Sequence, residues 1–186
     1  MPAISPKPLD QYPWWMRLLI RKQKRTYGEP LLPALLWGRS PRVFAAFALL
    51  YAAFERRSSP LPPPLRLLVM VRVSQINHCA FCVDMNSATL IERGISMSKL
   101  EGLANWNGSN LYTDDERVAL EYAESVTLPT LGVSDDLRRR LKDRFTDDAL
   151  IELTGLIAFQ NMSAKFNSAL DIPAQGLCVV PPRPAV

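Results

Sequence analysis

The chain has 186 residues, 48% of them hydrophobic, with 22 Lys and Arg against 18 Asp and Glu and a formal charge of +4. That composition supports a sizeable buried core and excludes a disordered polymer, and so small a positive excess gives no reason to expect nucleic-acid binding. No apolar run reaches the ~18 residues of a membrane span, and Met1 to Pro8 lacks the basic-then-apolar pattern of a secretory leader, so a cytoplasmic protein with no membrane span is expected.

Glycines number 8 and prolines 16, the prolines gathered at the ends and between segments, which suits helices stopped by proline. Pro13 opens a first helix running to about Tyr27, closed by Gly28-Glu29-Pro30. There Arg17, Arg21, Lys22, Lys24 and Arg25 alternate with Trp14, Trp15, Leu18, Leu19 and Ile20, the pattern of a surface helix docked by its apolar side on its own domain or a partner subunit. A helix lying on anionic lipid is the alternative. A second helical stretch, Pro41 to about Arg57, is expected to bury Val43, Phe44, Phe47, Ala48, Leu50 and Tyr51. Ser58-Ser59-Pro60-Leu61-Pro62-Pro63-Pro64 then reads as a stiff connector. It divides the chain into an N-terminal helical extension over 1–58 and a core over 59–173, with a proline-rich tail over 174–186 that includes a poorly ordered Pro181-Pro182-Arg183-Pro184.

Leu65 to about Asn77 reads as a buried helix leading into Cys79-Ala80-Phe81-Cys82, and the helix after it, Val83 to Arg93, ends at Gly94 as a left-handed cap. The thiols therefore sit at a helix N-terminus, where unpaired N–H groups and the helix dipole favour a thiolate. Helical spacing puts Cys79, Cys82 and Asn86 on one face and points Asp84 away from it. Such a pair is either a redox couple or half a metal site. A metal version would recruit Cys178 or His78, but no second C-x-x-C completes a tetrahedral set, so neither metal nor other cofactor is expected, and Cys178 reads as a packing residue. His78, the only histidine, is a candidate to stabilise the thiolate and exchange protons; the plainer reading is a solvated residue at a helix start.

Ser96 to Ala104 is a short helix, and Thr113-Asp114-Asp115-Glu116 is a capping box before Val118 to Val126. Ser134 and Thr146, each followed by two aspartates, cap two further helices. The last, about Asp147 to Leu170, is apolar around much of its circumference and so is expected at the centre, with Gly155 admitting a close neighbour. These starts and stops, with no strand alternation, define an all-α fold.

On these residues the chain resembles the carboxymuconolactone decarboxylase family, specifically its alkylhydroperoxidase-D-like branch. The likeness is carried by Leu68 to Cys82, by Asp84-Met85-Asn86, by the Gly94-Ile95-Ser96 turn, by Glu116 to Glu124 and by Ile151 to Leu170. It spans about residues 59 to 173. The resemblance implies an alkylhydroperoxidase-D-like helical bundle that forms homo-oligomers. It further implies a peroxidase in which Cys82 attacks a hydroperoxide substrate, Cys79 resolves the sulfenic acid as a disulfide, and an external dithiol reductant resets the pair. The branch places a glutamate twelve residues before the first cysteine and a histidine four after the second; this chain has Leu67 and Asn86 there. Neither side chain titrates, and loss of base assistance costs on the order of 10²–10⁴ in rate. Asn86 retains the capacity to orient a water or bond a thiol. Lactone decarboxylation suits a chain with one histidine badly, whereas a degenerate oligomeric scaffold binding an apolar ligand or protein partner is the alternative of another class.

Overall fold

The structure is a computed structural model and describes residues 2–178; the Pro181-Pro182-Arg183-Pro184 segment lies outside the described residues. Among these, nine α-helices and two 3-10 turns (Leu9–Gln11 and Gly102–Gly108) follow one another without a strand. The helices are α1 (Trp14–Tyr27), α2 (Leu32–Trp37), α3 (Pro41–Phe54), α4 (Pro63–Ile76), α5 (Ala80–Glu92), α6 (Met97–Glu101), α7 (Asp114–Thr127), α8 (Asp135–Arg144) and α9 (Asp147–Ala169).

Helix α4 lies at the centre, against α5, α7 and α9. Its Leu67, Leu68, Val69, Met70, Val71 and Val73 are each at most 3% exposed, so the helix is buried around its circumference. Pro63 and Pro64 open it, because the first turn has no N–H partner to lose and their fixed φ is already helical. The connector read from sequence is correspondingly shorter. The capping box forms as expected, with Thr113 Oγ1 accepting from Glu116 N–H and Glu116 accepting from Thr113 N–H, and Ser134 and Thr146 cap α8 and α9. Gly155 lies against the Phe54 ring, where a Cβ would stand 3.1 Å from Cζ.

The N-terminal helices dock on the rest of their own chain. Met16 and Ile20 of α1 are buried while Trp14 is 68% exposed, and Trp15 stacks on Phe44 with ring centroids 6.2 Å apart. The short α2, not among the helices expected from sequence, packs next to α3; a Cβ at Gly38 would collide with Met16. Helix α3 corrects one expectation: Phe44 is buried, but Val43, Leu50 and Tyr51 are 49%, 42% and 39% exposed. The helix is apolar all round yet packs only one side against α2 and α9. No helix among the described residues is long and apolar enough to cross a membrane.

Polar ties close the ends. Tyr12 Oη donates to the Leu35 carbonyl at 2.9 Å. Asp84, directed away from the thiols as its helical position required, accepts backbone N–H groups from Gln175, Leu177 and Cys178 at 2.9, 3.0 and 2.7 Å. The Gln175 side chain in turn accepts from Leu32 N–H at 2.8 Å and donates to Glu29 at 2.7 Å. Burial, and then the Asp84 carboxylate, push the Cys178 thiol up from its ordinary pKa. Asp84→Ala, which strips three donors of their acceptor, is expected to cost about 2 kcal/mol in urea denaturation and to speed labelling of Cys178 by a thiol reagent at neutral pH.

Candidate active site

The end of α4 determines where the sulfurs go. His78 N–H donates to the Gln75 carbonyl at 3.1 Å and Cys79 N–H to the Ser74 carbonyl at 3.0 Å, with His78 at φ 52°. This is the paired closure that ends many helices on a left-handed residue, here a histidine where glycine is usual. Cys79 then caps α5, its Sγ accepting Cys82 N–H at 3.2 Å. The two cysteines, with Cα atoms 5.3 Å apart, are joined as a disulfide.

Cys79 and Cys82 are 1% and 4% exposed and share a buried cluster with Met16, Leu35, Trp37 and Phe44 of the N-terminal helices and Ala164 of α9. On the Cys82 side opens a pocket of about 560 Å³. Trp37, Phe47, Tyr51, Met85 and Phe159 supply apolar wall; Asn86, Gln160, Ser163 and Asn167 supply polar groups near the sulfur end. Asn167 Nδ2 donates to Cys82 Sγ at 3.2 Å. Ser74 Oγ is a junction: it donates to the Met70 carbonyl at 2.6 Å and accepts from Gln160 Nε2 at 2.8 Å and Asn86 Nδ2 at 3.4 Å.

Of the residues singled out from sequence, Cys79, Cys82 and Asn86 come together, with the Asn86 amide bonded to Ser74 rather than to a thiol. His78 is exposed, and its ring makes no hydrogen bond among the described residues. Leu67 is buried with Leu90, Leu103 and Leu156 and does not line the pocket. Glu121 pairs with Arg140 at 2.6 Å, Glu152 accepts from Ser59 Oγ at 2.7 Å, and neither they nor Glu92 line it either. The one charged residue lining it among those described is Lys22. Although the residue as a whole is 39% exposed, burial around the Tyr51 hydroxyl, with a smaller push from Glu55, raises its pKa to about 12. No group of three or more His, Cys, Asp or Glu among the described residues is arranged to hold a metal ion. Sequence reading missed Ser74, Gln160 and Asn167. For Gln160 and Asn167 the signal was a polar stripe, Gln160, Ser163 and Asn167 at helical spacing among the buried positions of α9.

Residues 41–125 match the model of the carboxymuconolactone decarboxylase family. The uncharacterized protein YnjA of Escherichia coli (strain K12) is 48% identical over 176 residues, covering 95% of this chain and 97% of its own. The chain belongs to the carboxymuconolactone decarboxylase family. Among solved structures, an uncharacterized peroxidase-related protein of Ralstonia eutropha JMP134, described as an alkylhydroperoxidase AhpD core, superposes with a TM-score of 0.84 at 20% identity, covering 95% of this chain and 94% of that one. A protein of unknown function from Agrobacterium tumefaciens gives 0.70 at 28% identity over 75% of this chain and 94% of its own. The chain thus has an all-α, alkylhydroperoxidase-D-like helical fold, with α1 and α2 lying ahead of the segment that matches the family model.

Two substitutions probe the site without touching sulfur. Ser74→Ala leaves the Asn86 and Gln160 amides without their acceptor and is expected to cost about 1–3 kcal/mol by chemical denaturation. His78→Gly suits the left-handed turn and is expected to stay within about 1 kcal/mol of the parent; a changed pH profile of thiol oxidation in that variant would assign the imidazole a part in proton exchange.

Proposed function

We propose that the protein is a thiol-disulfide oxidoreductase of the peroxidase type, reducing hydroperoxides through Cys79 and Cys82. The observation that carries the reading is that Cys82 lines the pocket and accepts the Asn167 N–H, while Cys79 lies behind it as the cap of α5. In the reduced protein, the Cys82 thiolate attacks the outer peroxide oxygen. The O–O bond breaks, leaving Cys82 sulfenic acid and an alkoxide that takes up a proton. The Cys79 thiolate, favoured by the helix N-terminus, then attacks the Cys82 sulfur. A disulfide forms and, with one more proton, water leaves. An external dithiol returns two electrons and two protons and is itself oxidised to a disulfide.

Proton supply distinguishes this chain from its branch. Leu67 and Asn86 stand where the relay residues would be, so protons come from solvent or from His78, and turnover is slower than with base assistance by on the order of 10²–10⁴. The extension over 1–58 serves the core over 59–173 as a roof above the sulfur pair. The exposed apolar face of α3 supports assembly with further copies of the chain. A second reading, a helical scaffold that binds an apolar ligand or protein partner without turnover, is favoured by one observation: neither carboxylate nor imidazole is among the residues lining the pocket.

Peroxide titration of the reduced protein separates the two. The peroxidase reading expects loss of two thiols as an intramolecular disulfide with Cys178 retained, no disulfide in Cys82→Ser, and a trappable sulfenic acid in Cys79→Ser. Asn167→Ala should slow the first step about 10-fold, the effect of one hydrogen bond to a charged sulfur. Thiols inert to excess peroxide would leave the scaffold.

A further inference from the structure

Buried polar side-chain atoms almost always find a partner, so those that do not are informative. Among the described residues five lack one: Gln23 Oε1, Trp37 Nε1, Glu55 Oε1, Arg66 Nε and Asn167 Oδ1. Gln23, Trp37 and Asn167 all line the pocket beside Cys82. Asn167 is 1% and Trp37 8% exposed, so neither atom is satisfied by lying at the surface. Two of these are acceptors and one is a donor. The site is thus furnished with hydrogen-bonding capacity that nothing among the described residues uses.

The walls set the rest of the specification. Phe47 lies 4.9 Å from both the Trp37 and the Phe159 ring centroids, and Tyr51 lies 6.1 Å from Phe159, forming a continuous aromatic surface. Rings prefer to pack on such a surface by offset or edge contact. A volume of about 560 Å³ falls within the range of small-molecule sites and far exceeds the room a water or hydrogen peroxide needs. Lys22 is the charged residue among those lining the pocket, and it disfavours a cation.

We infer that this pocket is a binding site for a ring-bearing apolar molecule, neutral or anionic, that carries a hydroxyl-type group able both to donate and to accept a hydrogen bond. The hydroxyl gives its hydrogen to Asn167 Oδ1 or Gln23 Oε1 and accepts from Trp37 Nε1, while the ring packs on the aromatic wall. This deepens the peroxidase reading by naming its substrate class, a hydroperoxide with a bulky ring-bearing group, and rests on that reading for chemistry but not for binding.

The test uses the oxidised full chain and 2-naphthol, followed by titration calorimetry and tryptophan fluorescence. Saturable binding at one site per chain is expected. Trp37→Phe, which keeps a ring and removes the N–H, should weaken it about 5-fold. Ala48→Phe, which puts bulk into the pocket from exposed-sided α3, should abolish it with the fold intact by circular dichroism. Replacing the hydroxyl by an ammonium, as in 2-naphthylmethylammonium, should weaken binding about 10-fold or more. No saturable binding, or the same affinity in both variants, overturns the site; equal affinity for the ammonium compound overturns the charge selection. Because binding needs no thiol, the two readings fail separately. Reactive thiols with no naphthol binding overturn the site alone, and inert thiols with naphthol binding intact overturn the peroxidase alone.

Discussion

Two backbone hydrogen bonds, into the carbonyls of Ser74 and Gln75, reverse the chain between α4 and α5, and the geometry of the sulfur pair follows from them. They force His78 into a left-handed conformation, which costs an L-residue with a Cβ about 1 kcal/mol or more. They also deliver Cys79 as the cap of α5, so that the first helical turn carries both sulfurs. Ser74 acts twice, its carbonyl closing this turn and its hydroxyl collecting amides from α5 and α9. One residue therefore couples the turn, the helix bearing the cysteines and the long helix facing them.

The surroundings of the pair combine two opposed influences. Burial among Met16, Trp37 and Phe44 removes water and disfavours a charged sulfur. The Asn167 amide and the N-terminal N–H groups of α5 act the other way, since each gives a partial positive charge to an anion. Amides offer this in a fixed orientation and at any pH. What they do not offer is a proton, and that is the chemical difference between this site and one built on glutamate and histidine.

Much of the fold was legible because its signals are local. Capping serines and threonines, aspartates in first turns, and prolines and glycines at ends place α1, α3–α5 and α7–α9 within a few residues. The nearness of Cys79 to Cys82 follows from their spacing, their joining as a disulfide was implied only by the family resemblance, and the orientation of Asp84 away from them follows from helical angle. What escaped depended on packing between distant segments. Helix α2 has only six residues, and no cap announces it. Val43 and Leu50 look like core on composition, yet α3 has a neighbour on one side only. Asn167 lies 85 residues from the sulfur it contacts, so its partner could be known only once α9 was laid beside α5. His78 drew attention as an ionisable group beside a cysteine, whereas its place in the structure is set by its backbone.

The short run after α9 has a reach out of proportion to its length. Its peptide groups hang on Asp84, two positions beyond Cys82, and the Gln175 side chain grips the bend at residues 29–32. Leu31 and Pro33, on and just past that bend, belong to the lining of the cavity. A protease that nicked the backbone at residue 174 would therefore detach a brace from a chamber it never touches.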